Sequence, residues 1–158
     1  MCDYPTDEDR APFFMSVAAA LDQCQSLELA LKQHIGASFE AARKYIGGRV
    51  TFELDERDFD KKSLGQLVDT YSKLTTDDTL VKELKDFSRD RNFLAHKAIT
   101  ESYLPDGTFS PSNSDGLLER VEKIQDVAKD LHQRVYDGAQ RVLVHVWFDE
   151  ISDEQTED

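Results

Sequence analysis

The sequence predicts an all-α fold: one domain of about four helices in a bundle, the first and last of them long, paired as a homodimer. Three observations predict it. Apolar residues recur three and four apart over two stretches of roughly thirty residues each. The segments between them open on capping residues, while paired glycines end the first long stretch and a turn-rich loop precedes the last. The one short alternating piece has no second piece to pair with, so it does not start a sheet.

The first helix is expected to begin near Pro12, a residue suited to a first turn, and its stripe runs Val17, Leu21, Cys24, Leu31, Ile35, Ala42 and Ile46. Gly47 and Gly48 stop it. Residues 49–62 read as an extended connection without a helix: Val50-Thr51-Phe52-Glu53-Leu54 alternates, and a charged stretch follows. Ser63 caps a short second helix, with Gln66 completing a capping box and Leu64, Leu67, Val68, Tyr71 and Leu74 turned inward. Asp77 or Asp78 caps a third, expected from about Thr79 to about Tyr103, whose stripe holds Leu80, Leu84, Phe87, Leu94, Ala98 and also Arg91. Residues 105–116 are crowded with turn formers and read as a loop. The last helix starts near Leu117 and carries Val121, Ile124, Ala128, Leu131, Val135, Ala139, Val142 and Val146.

Such elements suit a bundle with an antiparallel core. A thirty-residue helix reaches roughly 45 Å, more than a compact domain of this size needs, so part of each long helix is expected to lie against a second copy.

Composition narrows the class. With 158 residues, 39% of them hydrophobic and 32% charged, the chain forms one globular domain and is too apolar to be disordered. Two cysteines, Cys2 and Cys24, build neither a disulfide framework nor a zinc or redox motif, which points to the cytoplasm. Acidic Asp7, Glu8 and Asp9 precede the apolar stretch Phe13 to Leu21, the wrong charge for a secretory leader, and no run is long enough to span a membrane. The net charge of −13 argues against a protein that merely coats nucleic acid. Residues 1–10 contribute −3 and residues 149–158 contribute −6, so the body between these acidic tips carries only −4.

Several chemistries lack their spacing. No histidine follows a carboxylate by three, as di-iron bundles require, the zinc-protease pattern is missing, and Gly47-Gly48 belongs to no phosphate-binding loop. No metal or cofactor is expected. The unusual segment is Ser88-Arg89-Asp90-Arg91-Asn92-Phe93-Leu94-Ala95-His96-Lys97. From Thr79 to Thr100 five bases face three acids, so the most cationic helix lies within an acidic protein and can hold a phosphate locally. Arg89, Asn92 and His96 form one line on that helix, while Arg91 lies about 140° from His96. An arginine flanked on its stripe by Phe87 and Leu94 must be paired or reach a wet cleft.

Arg91-Asn92-Phe93-Leu94-Ala95-His96 resembles the Arg-x(4–6)-His signature of the HEPN superfamily, in its Arg-Asn-x-x-x-His form. The resemblance covers six residues, placed late in the third helix as in that family; the other helices match by architecture only. It implies a small helical homodimer that acts as a metal-independent endoribonuclease, the class found in toxin–antitoxin and phage-defence systems. His96 would then be the acid or base that moves the proton of the RNA 2′-hydroxyl or of the leaving oxygen. Arg91 would stabilise the charged phosphorane-like transition state, and Asn92 would orient His96 or touch the phosphate. Arg89 and Lys97 would bind substrate, and a protein partner such as an antitoxin would restrain the activity. Two departures matter. Arg89 also satisfies the spacing, and Ala98 stands where relatives controlled by AMP addition carry tyrosine. The alternative expectation is a non-catalytic helical dimer that binds a protein partner or a nucleotide. His34, His132 and His145 read as ordinary bundle or surface residues, and Trp147 as an anchor for the last helix or for a dimer contact.

Overall fold

The computed structural model describes residues 7–48, 51, 56–110 and 116–154, with side chains described over 10–48, 51, 57–110 and 116–148. Among these it is all-helical: α1 (Asp7–Ile46), a 3₁₀ turn (Glu56–Phe59), α2 (Leu64–Tyr71), α3 (Asp78–His96), the single turn α4 (Ala98–Glu101) and α5 (Leu117–Glu154). No helix among them is long and apolar enough to cross a membrane.

The framework is a seam between α1 and α5. His34 Nδ1 lies 3.3 Å from the Val135 carbonyl, and Lys44 Nζ donates to the Val146 carbonyl at 2.6 Å. These offsets of 101 and 102 residues are nearly constant, so the two long helices run parallel. The expected antiparallel core is thereby corrected: a chain that leaves α1 at one end spends α2 and α3 returning to the other before α5 begins. α3 is the antiparallel member, since Glu83 meets Arg134 and Asp90 meets Arg120.

Other expectations are refined by burial. α1 begins at Asp7, placing Pro12 inside the helix at an exposed position. α3 stops at His96 instead of continuing to Tyr103; Lys97 departs from helical geometry, and α4 then seats the fully buried Ala98 against the bundle. The connection before α2 contains the 3₁₀ turn, which brings buried Phe59 onto Phe39 with ring centroids 5.7 Å apart. Of the alternating piece only Thr51 lies within the described residues. The turn-rich loop closes through a bridge between Tyr103 and Phe109, and Phe109 plugs the core against Phe13 and Phe14. Residues 111–115 of that loop lie outside the described residues.

The caps appear where the sequence places them. Ser63 and Gln66 bond reciprocally around the start of α2, and the Asp77 carboxylate accepts from the Leu80 amide at the start of α3.

One contact fixes the seam's depth. His34 is buried, set edge-on against Tyr71 at 4.9 Å, and its ring touches α5 at Gly138. A Cβ at position 138 would come within 2.9 Å of His34 Cε1, so the helical glycine is there to admit the imidazole. The ring cannot step aside, because Tyr71 and the Val135 carbonyl hold it. Gly138→Ala is therefore expected to destabilise by about 1–3 kcal/mol from overpacking, against a gain of about 1 kcal/mol in helix propensity. Denaturation should show a lower midpoint in Gly138→Ala, and the loss should shrink when His34→Ala is combined with it.

Burial also holds the His34 imidazole below its ordinary pKa, the Val135 carbonyl opposing this only in part. Below about pH 6.5 the unfolded chain takes up the proton before the folded one does, so stability present above that value is lost as the pH falls. Denaturant titrations from about pH 7.5 to 5 are expected to show this slope in the wild type and a flatter one in His34→Gln.

Candidate functional site

The cationic segment occupies the last two turns of α3, where the helix passes between α1 and the start of α5. Phe93 and Leu94 point inward and are buried, anchoring this stretch. Arg120 of α5 stacks over the Phe93 ring, 3.5 Å from its centroid, and reaches Asp90 at 3.7 Å. At the other end of α3, Arg134 bridges Glu83 and Asp130. Two arginines of α5 thus tie α3 on either side of its middle, adding to the register set by its buried side chains.

The side chains divide by face. The Asn92, His96 and Lys97 side chains are exposed and make no hydrogen bond or ion pair among the described residues, and Arg89 is 85% exposed with a loose contact to Asp86 at 3.9 Å. Arg89, Asn92 and His96 therefore present one line to solvent, as helical spacing requires. Arg91 goes elsewhere. Its Nε donates to Glu28 Oε1 of α1 at 3.1 Å, with the arginine side chain 32% and the glutamate 19% exposed. The paired half of the sequence condition on Arg91 is met, and the guanidinium keeps an opening to water.

Glu28 is the residue the sequence reading missed, although a signal for it existed. It falls on the buried stripe of α1 with Leu21, Cys24, Leu31 and Ile35, spaced three and four apart. An acid on the apolar stripe of one helix and a base on that of another are each costly alone. Together they satisfy each other. Cys24 lies one turn from Glu28, buried, with its thiol pushed up to about 11 by burial while Arg91 pulls the other way. A thiol so placed stays protonated at neutral pH and does not serve as a nucleophile.

No protein family, curated protein or solved structure matches this chain.

The remaining histidines are not gathered here. His34 belongs to the α1–α5 seam, His132 lies over Tyr136 at 6.1 Å, and His145 is exposed on the far part of α5. Trp147 is 67% exposed, so within one chain it does not anchor α5.

The clasp between α1 and α3 has a measurable strength. A partly buried charged pair should show a coupling of about 1 kcal/mol in a double-mutant cycle built from Glu28→Gln and Arg91→Met, well below a fully buried pair. Arg91→Met with Glu28 intact should cost more stability than the double variant, because it leaves the carboxylate in the crevice without a partner.

Proposed function

We propose that this protein is a metal-independent endoribonuclease of HEPN type that acts as a homodimer. The observation that carries the reading is the disposition of α3's last turns: an unencumbered imidazole, an amide one turn before it, and a half-open guanidinium nearby in sequence on a rigidly clasped helix. A proton carrier and a cation for the developing charge are what phosphodiester cleavage by an internal hydroxyl needs.

In this reading His96 takes the proton from the ribose 2′-hydroxyl or gives one to the departing 5′-oxygen. The hydroxyl oxygen bonds to the adjacent phosphorus as the P–O5′ bond breaks, leaving a cyclic phosphate. Arg91 receives the charge that gathers on the non-bridging oxygens, a task for which a planar fork is suited. Asn92, one turn before His96 and not bonded to it, touches the phosphate or orients the imidazole once substrate lies between them, and Arg89 and Lys97, both solvent-facing, hold neighbouring phosphates. Because Arg91 and His96 diverge around the helix, the substrate must lie across the helix edge. A twofold pairing would bring a second set to the same groove. A protein partner covering this face would silence it.

A second reading has an observation of its own. The Arg91–Glu28 pair also serves as a clasp between α1 and α3, which is all that a non-catalytic interaction module needs from it. Exposed Val144, Trp147 and Phe148 on α5 would then be surface for a partner.

The two readings separate on one experiment. Purified protein is incubated with RNA in EDTA alongside His96→Ala and Arg91→Ala. Wild type is expected to cut and leave cyclic phosphate ends, with each variant slowed about 10²-fold or more. No cleavage by wild type, or equal cleavage by all three, removes the enzymatic reading.

A further inference from the structure

We infer that Glu28 is a positioning residue that turns Arg91 into a phosphate fork, an inference that rests on the nuclease reading and extends it to α1. The argument begins with which nitrogen is used. A guanidinium can meet an oxyanion along its side, through Nε and one terminal nitrogen, or across its end, through both terminal nitrogens. Glu28 Oε1 accepts from Nε, and Arg91 makes no other hydrogen bond among the described residues. The side is occupied and the end, carrying four N–H donors, is left for a ligand.

Burial makes the assignment directional. Glu28 is the more enclosed partner and sits on the core stripe of α1, between Cys24 and Leu31, which are both buried. Its carboxylate is therefore held by the helix it belongs to, while the guanidinium, about a third exposed, is the part that meets solvent. The pair is anchored at its inner end and open at its outer end. Such a carboxylate fixes the plane of the fork before substrate arrives, and the ordering cost is met during folding instead of in the transition state. It also keeps the arginine charge balanced in the crevice when no substrate is bound. The neighbouring carboxylate, Asp90, is drawn the other way by Arg120 at 3.7 Å, which limits its competition for Arg91.

The ligand this geometry fits is a phosphodiester, which accepts across two oxygens and carries one negative charge. Lysine in place of Arg91 cannot answer both demands, since it has no Nε to be gripped and no planar end to present.

The experiment uses a matched pair of fluorescent single-stranded oligonucleotides, an RNA and its 2′-deoxy counterpart, which lacks the attacking hydroxyl. Anisotropy with the deoxy strand reports phosphate binding alone, cleavage of the RNA reports the nuclease reading, and circular dichroism checks that each variant is folded. Wild type should bind the deoxy strand, with Arg91→Lys and Glu28→Ala each weakened about tenfold and Glu28→Gln, whose amide oxygen still accepts from Nε, weakened less. In the cleavage assay Glu28→Ala should lower kcat more than it raises KM, with Glu28→Gln restoring most of the loss; a purely structural role would move thermal stability without that order. If wild type binds the deoxy strand in this Glu28-dependent order but does not cut RNA, the nuclease reading fails and the phosphate fork stands. If wild type cuts RNA while folded Glu28→Ala and Glu28→Gln bind and cut as it does, the inference about Glu28 is overturned and the nuclease reading stands. Absence of deoxy-strand binding by wild type also overturns the inference.

Discussion

The seam between α1 and α5 is the constraint from which the rest of this molecule is built. Two helices of 40 and 38 residues run parallel, and they approach closely where the His34 ring lies against the bare backbone of Gly138. A parallel pair cannot be joined by a short loop, so the chain between them must travel back along the bundle. That return path is α2 and α3, and it is why α3 runs opposite to both long helices and ends close to where α5 begins.

Because α3 is the returning strut, it is tied to its neighbours on two sides. Arg120 and Arg134 hold it from α5, and Glu28 holds it from α1 through Arg91. These are partly exposed pairs, modest individually, and they add to the register that the buried Leu84, Phe87, Phe93 and Leu94 already impose on the helix. The clasped helix then ends abruptly at His96, where buried Ala98 draws the chain away into α4. The break leaves the imidazole in the final turn of a rigid element, exposed and without a partner among the described residues. Its supports therefore belong to the helical framework and not to a loop.

The local pattern made a good part of this legible. Helical spacing identified the long stripes, the capping box at Ser63 and Gln66 marked the start of α2, and of the two caps offered for α3, Asp77 or Asp78, the structure uses Asp77. Phe109 was hidden because a lone aromatic in a tract of turn formers has no period to betray that it plugs a core. The break at Lys97 was hidden because residues up to Tyr103 keep a helical stripe, and only docking decides whether the chain continues straight or folds down.

What the sequence by itself determined is therefore what neighbours a few residues apart carry: the helical class, the cap at Ser63, the shared line of Arg89, Asn92 and His96, and the demand that Arg91 be either paired or open to water. The tertiary structure alone decided who that partner is, and that the long helices run parallel. The physical reason is the same in both cases. Periodicity tells which face of a helix is buried, but not against which element or in which direction, since an apolar stripe is the same read from either end. The complementary choice was made by steric fit at His34 and Gly138 and by opposite charges meeting at Glu28 and Arg91, pairs separated by 104 and 63 positions along the chain.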